Sequence, residues 1–316
     1  MDVSGMKQKK GLSVSVVMPV YNAGAYINAA LESVFGQSQP VDEVIVVDDG
    51  STDDTVAQTR KYSGSITLLQ QKNMGPAAAR NRGIREANGA LIAFLDADDI
   101  WLSDKIEKQL LVLQQDPKTA MVYGRYRNML EKDGALSPPL PRMVCSGKVF
   151  TDLLVESFIL LSTVIVRKKV LDRVGGFDET LLTAEDTNLY LKIAREDSIA
   201  AIDEVVVHRR IHGANLSERV DVPIGTLDNL DRIVALYPDT APDRFEPMRK
   251  AYEKRGEQLV DELFYAGSYR VARQVTGRLL EKGCFSLKIV AFFFLLLLPI
   301  PVVEWCRGRG RRNVRW

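Results

Sequence analysis

Histidine is scarce in this chain, with two in 316 residues, and cysteine nearly as scarce, with three. Cys145, Cys284 and Cys306 form no Cys-x-x-Cys pair and are odd in number. That argues against a disulfide framework and a thiolate metal site, and it fits a reducing compartment. An excess charge of one sign is missing too: 42 basic against 41 acidic residues leave a formal net charge of +1. No global field draws in nucleic acid, so any anionic ligand must be held by local groups. No apolar run reaches the roughly 20 residues that one bilayer-crossing helix needs. The longest, residues 289–303, falls short and is broken by Pro299 and Pro301. No long internal repeat is visible. What remains is a chain with 46% hydrophobic residues, enough for a real core. Its length fits one larger α/β domain with a smaller appendage.

From Leu12 to about Ile211, short apolar runs alternate with helical patterns. Residues 14–20 follow Lys7, Lys9 and Lys10, as the core of a signal peptide would, but the run is short and interrupted by Ser15 and Pro19. It reads as a first β-strand. Residues 44–47 form a second continuous apolar strand, as expected in a sheet covered on both faces. Between them Ile27, Ala30, Leu31, Val34 and Phe35 recur at helical spacing. Residues 66–69 read as a third strand. Pro76 opens a helix at its first position and Gly89 closes it. A strand over 90–95 and a helix over 104–115 follow. This alternation predicts an α/β fold with a doubly wound, mostly parallel sheet.

Residues 133–141, rich in Pro, Gly and Ser, read as a loop over the sheet. Then come a helix over 149–156, a strand over 163–166, a helix over 185–196 and an extended segment over 199–211. Residues 223–283 turn helical and charged. Leu259, Leu263 and Ala266, then Val271, Val275 and Leu279, suggest a small antiparallel helix pair. The expected division is a flexible N-terminus (1–11), a main domain (12–220), a helical C-terminal region (221–284) and an apolar segment with a basic tail (285–316).

Two acidic clusters stand at predicted strand ends: Asp48-Asp49-Gly50-Ser51 and Asp96-Ala97-Asp98-Asp99. In a doubly wound sheet, ligands bind outside the carboxyl ends of the strands, so both clusters face one crevice. Gathered carboxylates repel one another unless a cation sits among them, and oxygen ligands of this kind suit Mg²⁺ or Mn²⁺ beside substrate phosphates. The plainer alternative is that Asp49 and Asp99 cap following helices. Gly75 permits a tight turn at a helix N-terminus that favours anions, and Arg80 could reach a diphosphate there, or could be a solvated surface arginine. In His208-Arg209-Arg210-Ile211-His212, Arg210 and His212 share one face of an extended segment.

In order and spacing these segments resemble glycosyltransferase family 2. They are residues 14–22 ending in Pro19-Val20-Tyr21-Asn22, then Val47-Asp48-Asp49-Gly50-Ser51-Thr52-Asp53, Asn73-Met74-Gly75 with Ala79-Arg80-Asn81, and Phe94-Leu95-Asp96-Ala97-Asp98-Asp99. Val174-Gly175-Gly176-Phe177-Asp178-Glu179 and Glu185-Asp186 look like the family's second half. The resemblance covers roughly residues 12–217 and implies a GT-A type fold and an inverting, metal-dependent transfer of one sugar from a nucleoside-diphosphate sugar, UDP-sugar foremost. It implies that Pro19, Val20, Tyr21 and Asn22 line the base and ribose pocket, that Asp49 binds the nucleoside, and that Asn73, Arg80, Asp96, Ala97 and Asp98 contact the donor. It further implies that Asp98, with Asp96 and His212, holds Mn²⁺ or Mg²⁺. Asp186 would be the catalytic base, with Glu185 and Arg210 near the acceptor or diphosphate.

Two departures from the pattern matter. Thr187-Asn188 stand where many members carry an aromatic and an acid, which touches the acceptor subsite. No Gln-x-x-Arg-Trp motif follows Glu185-Asp186, so a processive polymerase is disfavoured. A nucleotidyltransferase is an alternative, but it would show a Gly-rich loop with Arg where Pro19-Val20-Tyr21-Asn22 stand. A non-catalytic nucleotide-sugar-binding protein is another, but Asp96, Asp98 and Asp186 are all present. The apolar residues 289–303 are followed by Arg307, Arg309, Arg311, Arg312 and Arg315, which belong on the cytoplasmic side. The expectation is a cytoplasmic enzyme resting on the membrane face without crossing it, with a glycan or lipid-linked acceptor, or else a C-terminal helix buried on the domain.

Overall fold

The computed structural model describes residues 12–181, 183–213 and 222–310. The N-terminal segment 1–11 and the final basic residues 311–316 lie outside the described residues. The chain divides into two compact units, Met1–Val149 with Phe158–Asn215, and Phe150–Ser157 with Leu216–Trp316.

The first unit is built on one eight-stranded sheet in the order β3-β2-β1-β4-β7-β6-β8-β5. The strands are β1 (Val14–Val20), β2 (Glu43–Asp48), β3 (Thr67–Gln70), β4 (Leu91–Phe94), β5 (Ile100–Trp101), β6 (Thr119–Leu130), β7 (Ile165–Arg167) and β8 (Ser198–Ile211). β3, β2, β1 and β4 are mutually parallel. β7 runs against both β4 and β6, and β8 runs parallel to β6. β6 and β8 therefore point the same way as β4. The carboxyl ends of β1, β2, β4 and β8 open on one edge of the sheet, which places the site.

The central strands are apolar because both faces are covered: Val16, Val17, Val46, Leu91 and Ile92 are fully buried. Helix α1 (Ile27–Phe35) buries Ile27, Ala30, Leu31 and Val34 against them. Phe35, expected on the same face, is instead exposed and stacks on Tyr62 at 5.9 Å. Helix α2 spans Thr55–Arg60. Helix α3 (Pro76–Glu86) starts at Pro76 as expected but stops before Gly89. Gly89 serves another purpose, since a Cβ there would lie 2.6 Å from the Ser15 backbone nitrogen. Helix α4 covers Lys105–Gln115. Residues 133–141 fold back on β6, with Tyr126 bridging Leu140 and Met129 bridging Leu136. The strand expected over 163–166 begins only at Ile165, because Leu161–Thr163 forms a 3₁₀ turn. Helices α6 (Lys168–Val174) and α7 (Glu185–Glu196) complete this unit.

Gly83 shows how tightly α3 lies on the sheet. A Cβ there would sit 2.4 Å from Cγ1 of Val17, a stiff β-branched side chain in a central strand. Gly83→Ala will therefore destabilise the protein by about 1 kcal/mol or more, since overpacking outweighs the gain in helix propensity. Urea unfolding midpoints check this; an unchanged or higher midpoint would mean that α3 can slide off β1.

The second unit is helical, with α5 (Phe150–Val155), α8 (Val222–Leu236), α9 (Glu246–Ala266), α10 (Tyr269–Glu281), α11 (Leu287–Leu295) and α12 (Ile300–Gly310). The expected pair is α9 and α10, turned by Gly267 at φ 81°, a left-handed value that favours glycine. Leu259, Leu263, Val275 and Leu279 are buried between them as the spacing predicted, while Val271 is exposed. Among the described residues, no helix is long and apolar enough to cross a membrane.

Candidate functional site

Every sequence-predicted site residue lies in the first unit, at or near the shared carboxyl edge: Pro19 and Val20 end β1, Arg80 lies in α3, Glu185 and Asp186 open α7, Arg210 lies near the end of β8, and the others sit on the adjoining loops. Pro19 sits near the end of β1, paired with Val47 of β2. β4 stops at Phe94, opposite Val17, so the flank of β1 is bare of ladder partners at Pro19, where a residue without N–H is tolerated. Tyr21 follows, half exposed. Asn22 adopts a left-handed φ of 50°, which asparagine accommodates better than most residues. Its side-chain oxygen accepts the Thr52 N–H at 2.8 Å, and its own N–H donates to Ser51 Oγ at 3.0 Å. Asn22 thus ties the loop after β1 to the loop after β2.

Asp49 is buried and caps no following helix. Its carboxylate reaches across to the turn before α3, accepting the N–H of Met74 at 2.9 Å and of Gly75 at 2.8 Å, and the Gln71 side-chain amide at 2.8 Å. Gly75 makes this possible with φ 89°. Asn73 is exposed on that turn.

Arg80 is not a solvated surface residue. It is 6% exposed and donates to Asp96 at 2.8 Å and to Glu185 at 2.7 Å, with its guanidinium 5.5 Å from the centre of the Phe177 ring. Both Nη atoms are thus engaged by carboxylates, so Arg80 braces the loop after β4 against the start of α7 from beneath. These two carboxylates raise its already high pKa further, against its own burial.

The loop after β4 carries three acids with separate partners. Asp96 takes Arg80. Asp98 Oδ2 lies 3.0 Å from Nε2 of His212, just past the end of β8. Asp99 is buried, accepting the Arg210 N–H at 3.1 Å and the Ser162 hydroxyl at 2.6 Å. Ala97 is buried between them. Burial and the neighbouring Asp96 push the Asp98 carboxyl above its ordinary range; burial, Asp98 and Asp96 push Asp99 well above it. Arg210 also donates from Nε to the Asp98 carbonyl at 3.2 Å and lies 5.3 Å from the centre of the Tyr26 ring, on which His212 stacks at 4.9 Å.

Glu185 and Asp186 open α7 after Ala184, which holds a left-handed φ of 61°. For alanine that conformation is strained, and it fixes how the pair enters the site. Asp186 lies deep in the fold yet keeps part of its surface open. Burial, and then the Glu185 charge, push its carboxyl up to about 6. Its Oδ1 accepts the Thr187 N–H at 2.6 Å. Thr187 and Asn188 are themselves buried, so the departure from the family pattern falls on inward-facing helix positions.

Sequence reasoning missed Tyr26 and Ser162 as builders of this edge, and it placed Asp99 in the acidic cluster without its partners Ser162 and Arg210. Ser162 accepts the Asp96 N–H at 3.2 Å while donating to Asp99, and its carbonyl takes Trp101 Nε1–H at 2.8 Å. The 3₁₀ turn that displaces the expected strand is what aims it there.

The arrangement offers a carboxylate–imidazole pair (Asp98 and His212), a braced carboxylate (Asp96) and a carboxylate with raised proton affinity (Asp186), all at one edge of the sheet. The family described as Glycosyl transferase family 2 matches residues 15–175. Among curated relatives, an uncharacterized glycosyltransferase of Rickettsia felis is 37% identical over 202 residues, 63% of this chain and 33% of that protein. The chain thus spans about a third of that relative. A second, RP339 of Rickettsia prowazekii, is 33% identical and matches over 90% of this chain and 91% of its own. The UDP-Glc:alpha-D-GlcNAc-diphosphoundecaprenol beta-1,3-glucosyltransferase WfgD of Escherichia coli is 33% identical, over 60% of this chain and 73% of its own. Two solved structures share the fold. TarS 1-349 of S. aureus in complex with UDP-GlcNAc has a TM-score of 0.64 at 20% identity, covering 94% and 92% of the two chains. The mannosyltransferase PcManGT of Pyrobaculum calidifontis, in complex with GDP-Man and Mn2+, has a TM-score of 0.61 at 19% identity, covering 94% and 84%.

Proposed function

The chain belongs to glycosyl transferase family 2 and is a glycosyltransferase of GT-A fold, and from that premise we propose that it transfers a single sugar, with inversion, from a nucleoside-diphosphate sugar to an acceptor hydroxyl. The observation that carries the reading is the meeting, at one sheet edge, of Asp98 with His212 and of Asp96 with Glu185 through Arg80. UDP-sugar is the preferred donor, supported by the UDP-sugars named for WfgD and TarS. Pro19, Val20, Tyr21 and Asn22 at the end of β1, with Asp49 bonded to the Val20 carbonyl through its N–H, would take the base and ribose, the Val20 side chain itself being buried.

Asp98 and His212 suit a divalent cation in their donor chemistry, one oxygen and one imidazole nitrogen 3.0 Å apart, with Asp96 adjacent. Among the described residues, no three acidic, histidine or cysteine groups converge into a closed metal site. The remaining ligands would then come from the donor diphosphate, which is the usual habit of Mg²⁺ and Mn²⁺. When bound, such an ion supplies positive charge to the departing diphosphate. PcManGT with Mn2+ supports this reading.

Asp186 takes the proton of the acceptor hydroxyl. Glu185 gives Oε1 to Arg80, whereas Asp186 forms no salt bridge among the described residues, so Asp186 is the stronger base. The sugar–oxygen bond forms from the face opposite the leaving diphosphate, and no covalent nucleophile is needed. The acceptor is a glycan or a lipid-linked glycan, for which the diphosphoundecaprenol in the name of WfgD is support. The exposed apolar side chains of α11 and α12 fit contact with the cytoplasmic face of a membrane.

Calorimetric titration with UDP, UDP-sugars and GDP-sugars tests the donor side. Binding in Mn²⁺ or Mg²⁺ should weaken at least tenfold in chelator and in Asp98→Ala. Equal affinity in all three conditions would overturn the assignment of Asp98 and His212 to a metal.

A further inference from the structure

The second unit presents a shallow, open cleft of about 450 Å³ that the proposed chemistry does not use. Its walls are one face of α10, with Arg270, Arg273 and Gly277, and Phe293 of α11. The opposite face of α10 is buried at Ala272, Val275, Thr276 and Leu279, so the arginine face is set outward by the packing of the helix. Arg278, at the same cleft, is held by Asp228 and Asp231. Arg270 and Arg273 are exposed and have no carboxylate partner among the described residues. Glu281 is the one acid lining the cleft among them.

Gly277 has no packing reason to be glycine. A Cβ built there meets nothing within 4 Å, although glycine inside a helix is less stable than alanine. It leaves a bare floor between the arginines and Phe293. Next to Phe293 begins the apolar side of α11 and α12. Ile289, Leu296 and Val303, seven residues apart, face inward and are buried. Other apolar side chains of this stretch face out: Phe294 is 63% exposed, Ile300 60% and, just past Val303, Trp305 58%, with Leu297 and Leu298 also exposed.

We propose that this cleft receives the phosphate of an anionic phospholipid headgroup, with the outward side of α11 and α12 resting in the same leaflet; this rests on the membrane contact proposed above. The guanidinium fork matches a phosphodiester, and an indole belongs at the boundary between headgroup and acyl chain. Helices of 9 and 11 residues are too short to cross but suit an interfacial position. From residue 289 onward the sequence carries Arg307, Arg309, Arg311, Arg312 and Arg315 against Glu304 alone. That charge complements an anionic surface and opposes pairing with a second copy of the same face.

Vesicle co-sedimentation of the full chain tests this, with phosphatidylcholine alone and with phosphatidylglycerol added. The intact chain should bind the anionic vesicles at least tenfold more tightly. Arg270→Glu with Arg273→Glu should abolish that preference, and Gly277→Leu, which builds into the cleft from a Cβ position with nothing within 4 Å, should reduce it. Leu298→Asp should weaken binding to both vesicle types. UDP binding should be unchanged in all three variants, showing that the first unit is intact. Equal binding to both vesicle types, or a preference that survives the arginine reversal, would overturn the headgroup site while leaving membrane contact standing. Binding to neither, with concentration-dependent self-association in analytical ultracentrifugation, would overturn both and make a second copy the occupant.

Discussion

Asp186→Asn will lower the turnover of sugar transfer by about 10² to 10⁴-fold, the usual contribution of a positioned general base, while donor binding stays close to that of the intact chain. Asparagine keeps the shape of the side chain and its contact with the Thr187 N–H at the head of α7, but it cannot take a proton. The intact enzyme should show a rising limb in its pH profile. Its carboxyl is pushed up to about 6 by burial and by Glu185, with Arg80 opposing and Asp96 adding to the rise, so the active, deprotonated form is lost as pH falls through that value. The limb should vanish in the variant. The same shift has a stability consequence of opposite sign. A carboxyl whose folded pKa is raised holds its proton more tightly in the folded chain. Its stabilising contribution is therefore present below the unfolded value and is lost as pH rises through about 6. Asp186→Asn should then melt higher than the intact chain at mildly alkaline pH, an exchange of stability for function common at active sites. A slower variant that also melts lower, with the pH limb intact, would mean that Asp186 holds structure instead of moving a proton.

Arg80→Leu will cost about 3 to 5 kcal/mol of stability, the range seen when one partner of a buried ion pair is removed. The loss falls on two carboxylates at once, because Asp96 and Glu185 both close on this buried guanidinium. Arg80→Lys should recover little, since an ammonium cannot present two separated donors in a fixed fork. Adding Glu185→Leu to Arg80→Leu should restore part of the loss, as one stranded charge is removed. Urea denaturation of the four proteins measures this. A loss below about 1 kcal/mol in Arg80→Leu would place Arg80 with ordinary surface ion pairs and contradict its role as the brace of the site.

The acids at strand ends were legible in the sequence because a parallel sheet delivers the ends of β1, β2 and β4 to one edge whatever the details of packing. Asp49 and Asp96 to Asp99 followed from that alone. Arg210 and His212 were legible as a pair on one face of an extended segment. Their meeting with Asp98 and Asp99 depends on the sense of β8, which follows from two successive antiparallel pairings, β4 with β7 and β7 with β6, and then the parallel pairing of β6 with β8. No local pattern encodes that. Arg80 shows the limit more sharply. Its position on α3 was plain, but whether it faces solvent, diphosphate or carboxylates depends on where α7 begins, about a hundred residues later. Ser162 was hidden because a 3₁₀ turn and a strand start look alike in a short apolar run. Phe35 fits the helical pattern as the last of its five positions, and its exposure beside Tyr62 depends on tertiary packing that the pattern does not encode.

The central claim is that this edge of the sheet turns over a nucleotide sugar. The most direct test is nucleotide release from a panel of UDP-, GDP- and TDP-sugars by the intact chain in Mn²⁺ or Mg²⁺, with a membrane extract supplying acceptors and Asp186→Asn alongside. Metal-dependent release from one donor class, lost in the variant, is the predicted result. Binding of a donor with no release under any of these conditions, or release that the variant retains in full, would contradict it.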